Sequence, residues 1–138
     1  MDEQPIDRMV AEHELFTADV QSLRVAIEKL AIPTIRSLVE GIRNRLPAHL
    51  RLEEDEIFPW MRRWLPERAT DLDALLGEHP AFTKLCESLL ALLDQPALDQ
   101  PAFDQLQRLM ELLQSHSARE QSLLGEALAR EEGASNEP

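Results

Sequence analysis

The sequence predicts an all-α protein, an antiparallel up-down-up-down four-helix bundle, and three observations carry that prediction. Leu, Ala, Glu, Gln and Arg dominate the 138 residues, whereas β-branched and aromatic residues are scarce and Tyr is absent. Only four glycines occur, and no Asn-Gly or Asp-Gly pair marks a hairpin. Apolar residues recur at three- and four-residue steps along four segments, the repeat of one buried helix face.

The first segment runs Ile6, Met9/Val10, His13, Phe16, Val20, Leu23, Ile27, Leu30. Pro33 opens the second, a position where its missing N–H costs nothing, and Pro66 closes it. Its stripe is Ile35, Leu38, Ile42, Leu46, His49, Glu53, Ile57, Trp60. Thr70 is the expected N-cap of the third, with Asp71 and Asp73 in the first turn. That segment continues Leu72, Leu75/Leu76, His79, Phe82, Cys86, Leu89, Leu93. Pro96 and Pro101 frame the last loop, and the fourth stripe is Phe103, Leu106, Leu109/Met110, Leu113, His116, Glu120, Leu123, Ala127. Three short connections imply antiparallel neighbours. Pro47 and Pro80 sit inside periodic stretches, where each removes a backbone hydrogen bond, so a kink or a restart is expected there. Residues 1–131 are assigned to one bundle and 132–138 to a flexible, polar tail.

A formal charge of −12 argues against nucleic-acid binding, because no basic stripe exists to neutralise phosphates. No apolar run approaches the ~20 residues of a membrane span. The start, Met1-Asp-Glu-Gln-Pro5, lacks the basic flank and apolar core of a signal peptide, so a cytoplasmic location is expected. Cys86 is alone, which excludes an internal disulfide, and its helical spacing from Phe82 and Leu89 reads as a small core residue.

The chemistry lies in the four histidines. Two open the same phrase, His49-Leu-Arg-Leu-Glu53 and His116-Ser-Ala-Arg-Glu120, and two stand alone after a glutamate, His13 and His79. A histidine and a glutamate four residues apart share one helix face. All four histidines, with Glu53 and Glu120, occupy stripe positions where Leu or Ile is expected. A carboxylate written into a core seam needs a partner, and a metal ion supplies one. The depths agree as well. His13 lies 19 residues before the turn near Ile32 and His49 17 after it. His79 lies 18 before a turn near Ala97 and His116 19 after it. At about 1.5 Å per residue all four fall roughly 26–29 Å from one end of the bundle. A single histidine on an apolar face is usually a satisfied core residue, and one HxxxE is weak. Four histidines at one depth, with two glutamates one turn along, make a metal site, with His13, His49, Glu53, His79, His116 and Glu120 as its candidate ligands. Iron, manganese and zinc all suit this donor set. Glu56 could add a ligand, but it, Glu12, Glu54 and Glu78 read more readily as solvated or outer groups. Phe16, Phe58, Trp60 and Phe82 fall near the candidates and could wall the site.

Residues 5–130 resemble the hemerythrin-like (HHE cation-binding) domains. The stretch His49-Leu-Arg-Leu-Glu-Glu-Asp-Glu-Ile-Phe-Pro59 is similar to the family's His-x3-Glu-Glu with its apolar-Phe-Pro end. Glu78-His79 resembles the third-helix Glu-His, and His116-Ser-Ala-Arg-Glu120 the final His-x3-Glu. The resemblance implies a non-heme di-iron centre with terminal histidines and with Glu53 and Glu120 as bridging carboxylates. Room then remains on the metals for a small diatomic ligand or peroxide. Oxygen-carrying members have a second histidine one turn from the third-helix one and a fourth-helix His-x4-Asp. Here Leu75 and Thr83 flank His79, and Gln121 stands where that aspartate would be. The set is more similar to bacterial iron–sulfur-repair proteins and to iron- or oxygen-sensing members. A protein that binds or senses dioxygen or a related molecule is therefore expected, more readily than an enzyme. An iron donor or a nitric oxide- or peroxide-responsive redox protein is the second reading, and a metal-free helical interaction module the third.

Overall fold

The computed structural model describes residue 1 and residues 3–135, and these contain helices and no strand. Helix α1 spans Glu3–Glu28 and α2 spans Ile32–Leu52. A π turn over Glu53–Ile57 leads without a break in right-handed helical backbone into α3, Phe58–Trp64. A 3₁₀ turn, Pro66–Arg68, feeds α4, Ala69–Leu92, and α5 spans Gln100–Ser135. With α2, the π turn and α3 counted as one rod, four rods form the bundle. In space α1 packs on α2, α2 on α4, α4 on α5, and α5 closes the ring on α1. Contacts at the two ends fix the antiparallel sense. The Met1 amine meets Glu131 at 2.7 Å, and Trp60 Nε1 donates to the same carboxylate at 2.7 Å. At the other end Arg36 of α2 reaches Asp94, just past α4.

The local signals explain most boundaries. Leu30 ends α1 in the left-handed region, φ 51°, with Ala31 N–H donating to Ala26 C=O and Leu30 N–H to Ile27 C=O. This is the Schellman pattern, in which glycine usually takes the left-handed place. Leu30 was expected on the buried stripe, but this turn leaves it 67 % exposed. Thr70 is not the cap of α4. The 3₁₀ turn runs directly into the helix, Arg68 stands at the N-cap without a side-chain bond, and Thr70 lies inside the first turn. Asp99 does cap α5, its Oδ1 accepting from Ala102 N–H at 3.0 Å. Neither Pro47 nor Pro80 restarts a helix, since α2 and α4 run through them. Helix α5 is continuous to Ser135, and the last residues of the tail expected over 132–138 lie outside the described residues.

The π turn resolves a conflict between two stripes. Upstream, Leu46, His49 and Glu53 face the core; downstream, Phe58, Met61 and Leu65 do, one residue later than a regular helix would place them. One extra residue in the turn keeps both faces buried. The core is thereby cut in two by a polar layer. One apolar block, including Val20, Leu23, Ile35, Val39, Leu89 and Leu106, lies toward the α1–α2 turn. The other, including Met9, Ile57, Met61, Leu65, Leu72 and Ala127, lies toward the opposite end. Cys86 is buried in the first block, and burial pushes its thiol up to about 11, which suits a core residue. Among the described residues no helix is long and apolar enough to cross a membrane.

Candidate metal centre

The polar layer consists of the six residues picked out by spacing. His13 comes from α1, His49 from α2, Glu53 from the first position of the π turn, His79 from α4, and His116 and Glu120 from α5. None exposes more than 4 % of its surface. Their inward atoms converge in two overlapping groups, His13–His49–Glu53–Glu120 and Glu53–His79–His116, each with its atoms within 4.8 Å of one another. Glu53 belongs to both. Its Oε2 lies 3.3 Å from His49 Nε2 and 3.7 Å from His13 Nε2, and its Oε1 lies 3.0 Å from His79 Nε2 and 3.4 Å from His116 Nε2. Glu120 Oε1 likewise spans the groups, 3.4 Å from His13 Nε2 and 3.1 Å from His116 Nε2.

These atoms are close but poorly satisfied. His13 Nε2, His79 Nε2, Glu53 Oε2 and both Glu120 oxygens are buried without a hydrogen-bond partner. Buried polar groups are nearly always paired, and each one left unpaired costs on the order of 1–3 kcal/mol. Five such atoms around one point fit cations, which would satisfy nitrogen lone pairs and carboxylate oxygens together.

The outer nitrogens prepare that arrangement. His49 Nδ1 lies 2.6 Å from Glu12, His79 Nδ1 2.7 Å from Glu54, and His116 Nδ1 2.8 Å from Glu78. A carboxylate only accepts, so each Nδ1–H donates outward and the neutral ring keeps its Nε2 lone pair for the interior. Arg119 holds Glu78 at 2.6 Å, and Arg8 holds Glu12 at 3.2 Å. The amide of Gln121 stands 3.4 Å from His13 Nδ1. Glu12, Glu54 and Glu78 are thus the outer groups the sequence suggests, whereas Glu56 is exposed and outside the cluster. The roles of Gln121 and Arg119 were missed. Their signal was adjacency, since both neighbour Glu120 as Glu54 neighbours Glu53.

Phenylalanines back three of the rings. Phe16 meets His49 edge-on at 5.2 Å, Phe82 meets His116 edge-on at 5.0 Å, and Phe58 stacks on His79 at 5.7 Å. Trp60, expected beside them, turns instead to Glu131 at the end of the bundle.

Electrostatics in the metal-free layer follow from burial opposed by pairing. Burial disfavours charge on His13 and His116, but the carboxylates of Glu120 and Glu53 outweigh it and raise the imidazoles to about 9 and about 10. His79 moves up in the same way, against burial, through Glu53 and Glu54. Burial and the facing Glu53 push Glu120 up. Hydrogen bonding to Glu120 and to the histidines holds Glu53 low despite burial. Protons therefore occupy the layer when no cation does, and a cation that enters must displace them.

A family model described as the hemerythrin HHE cation binding domain matches residues 4–128. No curated protein and no solved structure matches the chain.

Proposed function

The chain belongs to the hemerythrin HHE cation-binding domain family, and from that premise we propose that its polar layer holds two iron ions bridged by Glu53 and Glu120. His13 and His49 would serve one ion, His79 and His116 the other. The observation that carries this reading is the set of buried, unpartnered nitrogen and oxygen atoms that converge from all four rods. It also weighs against a metal-free interaction module, in which trapped protons alone would offset those costs. Manganese or zinc suits the same donors, and iron, unlike zinc, also supplies reversible electron transfer to a bound small molecule.

We further propose that the protein binds or senses dioxygen or a related small molecule. Six residues would supply the donors, and two ions held by so few side chains would have room for a ligand from outside. A cavity of about 10 Å³, counted as the room open to the centre of a water-sized sphere, adjoins His49 and His116. Phe16, Leu46, Phe82 and Leu113 line it, so its walls suit a small uncharged molecule better than an ionic one. The chain's own part is to hold three of the imidazoles, His49, His79 and His116, in one tautomer and to keep water from the layer. Cycling dioxygen over iron-loaded protein tests this. Reversible absorption changes are expected. Irreversible consumption of peroxide or nitric oxide would favour the redox reading instead, and a spectrum indifferent to all three would overturn both.

A further inference from the structure

We infer that the two metal positions are unequal: the His79/His116 position is the tight one and the His13/His49 position the exchangeable one, set by Glu54 against Gln121. This rests on the metal centre proposed above and goes beyond it. The cluster has an approximate two-fold pattern. In each half a glutamate that precedes one histidine bonds the partner histidine, Glu12 to His49 and Glu78 to His116. In each half the residue that follows the inner glutamate faces the remaining histidine, Glu54 at His79 and Gln121 at His13. The pattern breaks only at this last pair.

Two physical differences separate the halves there. Glu54 is a carboxylate that accepts from His79 Nδ1 at 2.7 Å, whereas Gln121 turns its neutral amide nitrogen, a donor, toward His13 Nδ1 at 3.4 Å. A carboxylate polarises the ring and strengthens its inner lone pair more than an amide does. The backbone differs too. Neighbouring residues of an α-helix point about 100° apart, and a π turn, with more residues per revolution, narrows that angle. Glu53 and Glu54, on the π turn, close on both nitrogens of His79 at 3.0 and 2.7 Å, and Phe58 stacks on its face. Glu120 and Gln121, on regular helix, stand 3.4 Å from each nitrogen of His13. No phenylalanine backs that ring, which rests on His49 at 5.0 Å. Glu54 and Gln121 are positioning residues, acting through the histidines.

Release of iron(II) from the loaded full chain to an excess of chelator, without oxygen, reads the difference. Two phases of equal amplitude are expected, with rates about tenfold or more apart. Gln121→Glu should slow the fast phase toward the slow one, and Glu54→Gln should hasten the slow phase. Both side chains are exposed, so both variants should fold, and slower release from Gln121→Glu is a change that damage to the fold would not produce. A single phase in the parent, or a fast phase that Gln121→Glu leaves unchanged, overturns the asymmetry and leaves the metal centre standing. A chain that takes up no iron overturns the centre itself.

Discussion

The inner layer and the outer ring of the centre use the same residue types under opposite physical conditions. The six inner residues are buried, and several of their polar atoms have no protein partner. The outer groups, Glu12, Glu54, Glu78 and Gln121, reach solvent, and two of them carry an arginine as well. An unpartnered buried atom is expensive, and a solvated ion pair is worth little. The difference teaches where to look for function. The inner layer carries a cost that a bound cation would offset, and the outer groups orient the imidazoles that face it.

Substitutions in the two regions should therefore differ sharply. Glu53→Ala carries the largest expected effect, because this carboxylate faces all four histidines. Elemental analysis should find both ions lost, and Glu120→Ala should behave alike. An outer substitution is milder. Glu78→Gln keeps the shape and removes the charge behind His116, and metal affinity by chelator competition should fall roughly 10- to 100-fold. Arg119→Ala, one contact further out and exposed, should weaken binding only a few-fold. An Arg119 variant that matched the loss in Glu53→Ala would break the division into layer and ring.

Acidity separates the two states of the inner layer. His13 and His116 are raised above their ordinary 6.5, to about 9 and about 10, so the folded metal-free chain retains protons that the unfolded chain gives up. Their contribution to stability is complete below pH 6.5 and is lost as pH rises through 9 and 10. Thermal unfolding of the metal-free protein should shift downward across that window. The metal-loaded protein, whose protons have been displaced, should show a smaller shift there. Equal shifts in both states would mean that the histidines are not where the cation sits.

Much of this was legible in the residues. The two HxxxE phrases and the matched depths placed four histidines in one layer with two glutamates one turn along, because helical rise and repeat are nearly invariant. The outer carboxylates were legible only as a class, since which glutamate meets which ring depends on how the rods cross. The π turn was not legible. It arises because the Leu46–His49–Glu53 face and the Phe58–Met61–Leu65 face are out of step by one residue, and either face alone reads as regular helix. Leu30 and Thr70 failed for a related reason. Periodicity and capping preference describe a helix in isolation, whereas a Schellman turn and a 3₁₀ lead-in decided these two ends. Gln121 stood out only as a departure from the carriers' aspartate, and its place against His13 depends on how α1 and α5 cross.

Iron content per chain is the most direct test of the buried layer as a metal centre. Protein loaded with iron(II) without oxygen and freed of excess metal should retain about two ions per chain, as expected for paired carboxylate-bridged sites in a bundle core. Glu53→Ala treated in the same way should retain none. A parent chain that retains no iron, or a Glu53→Ala chain that still holds two, would contradict the assignment.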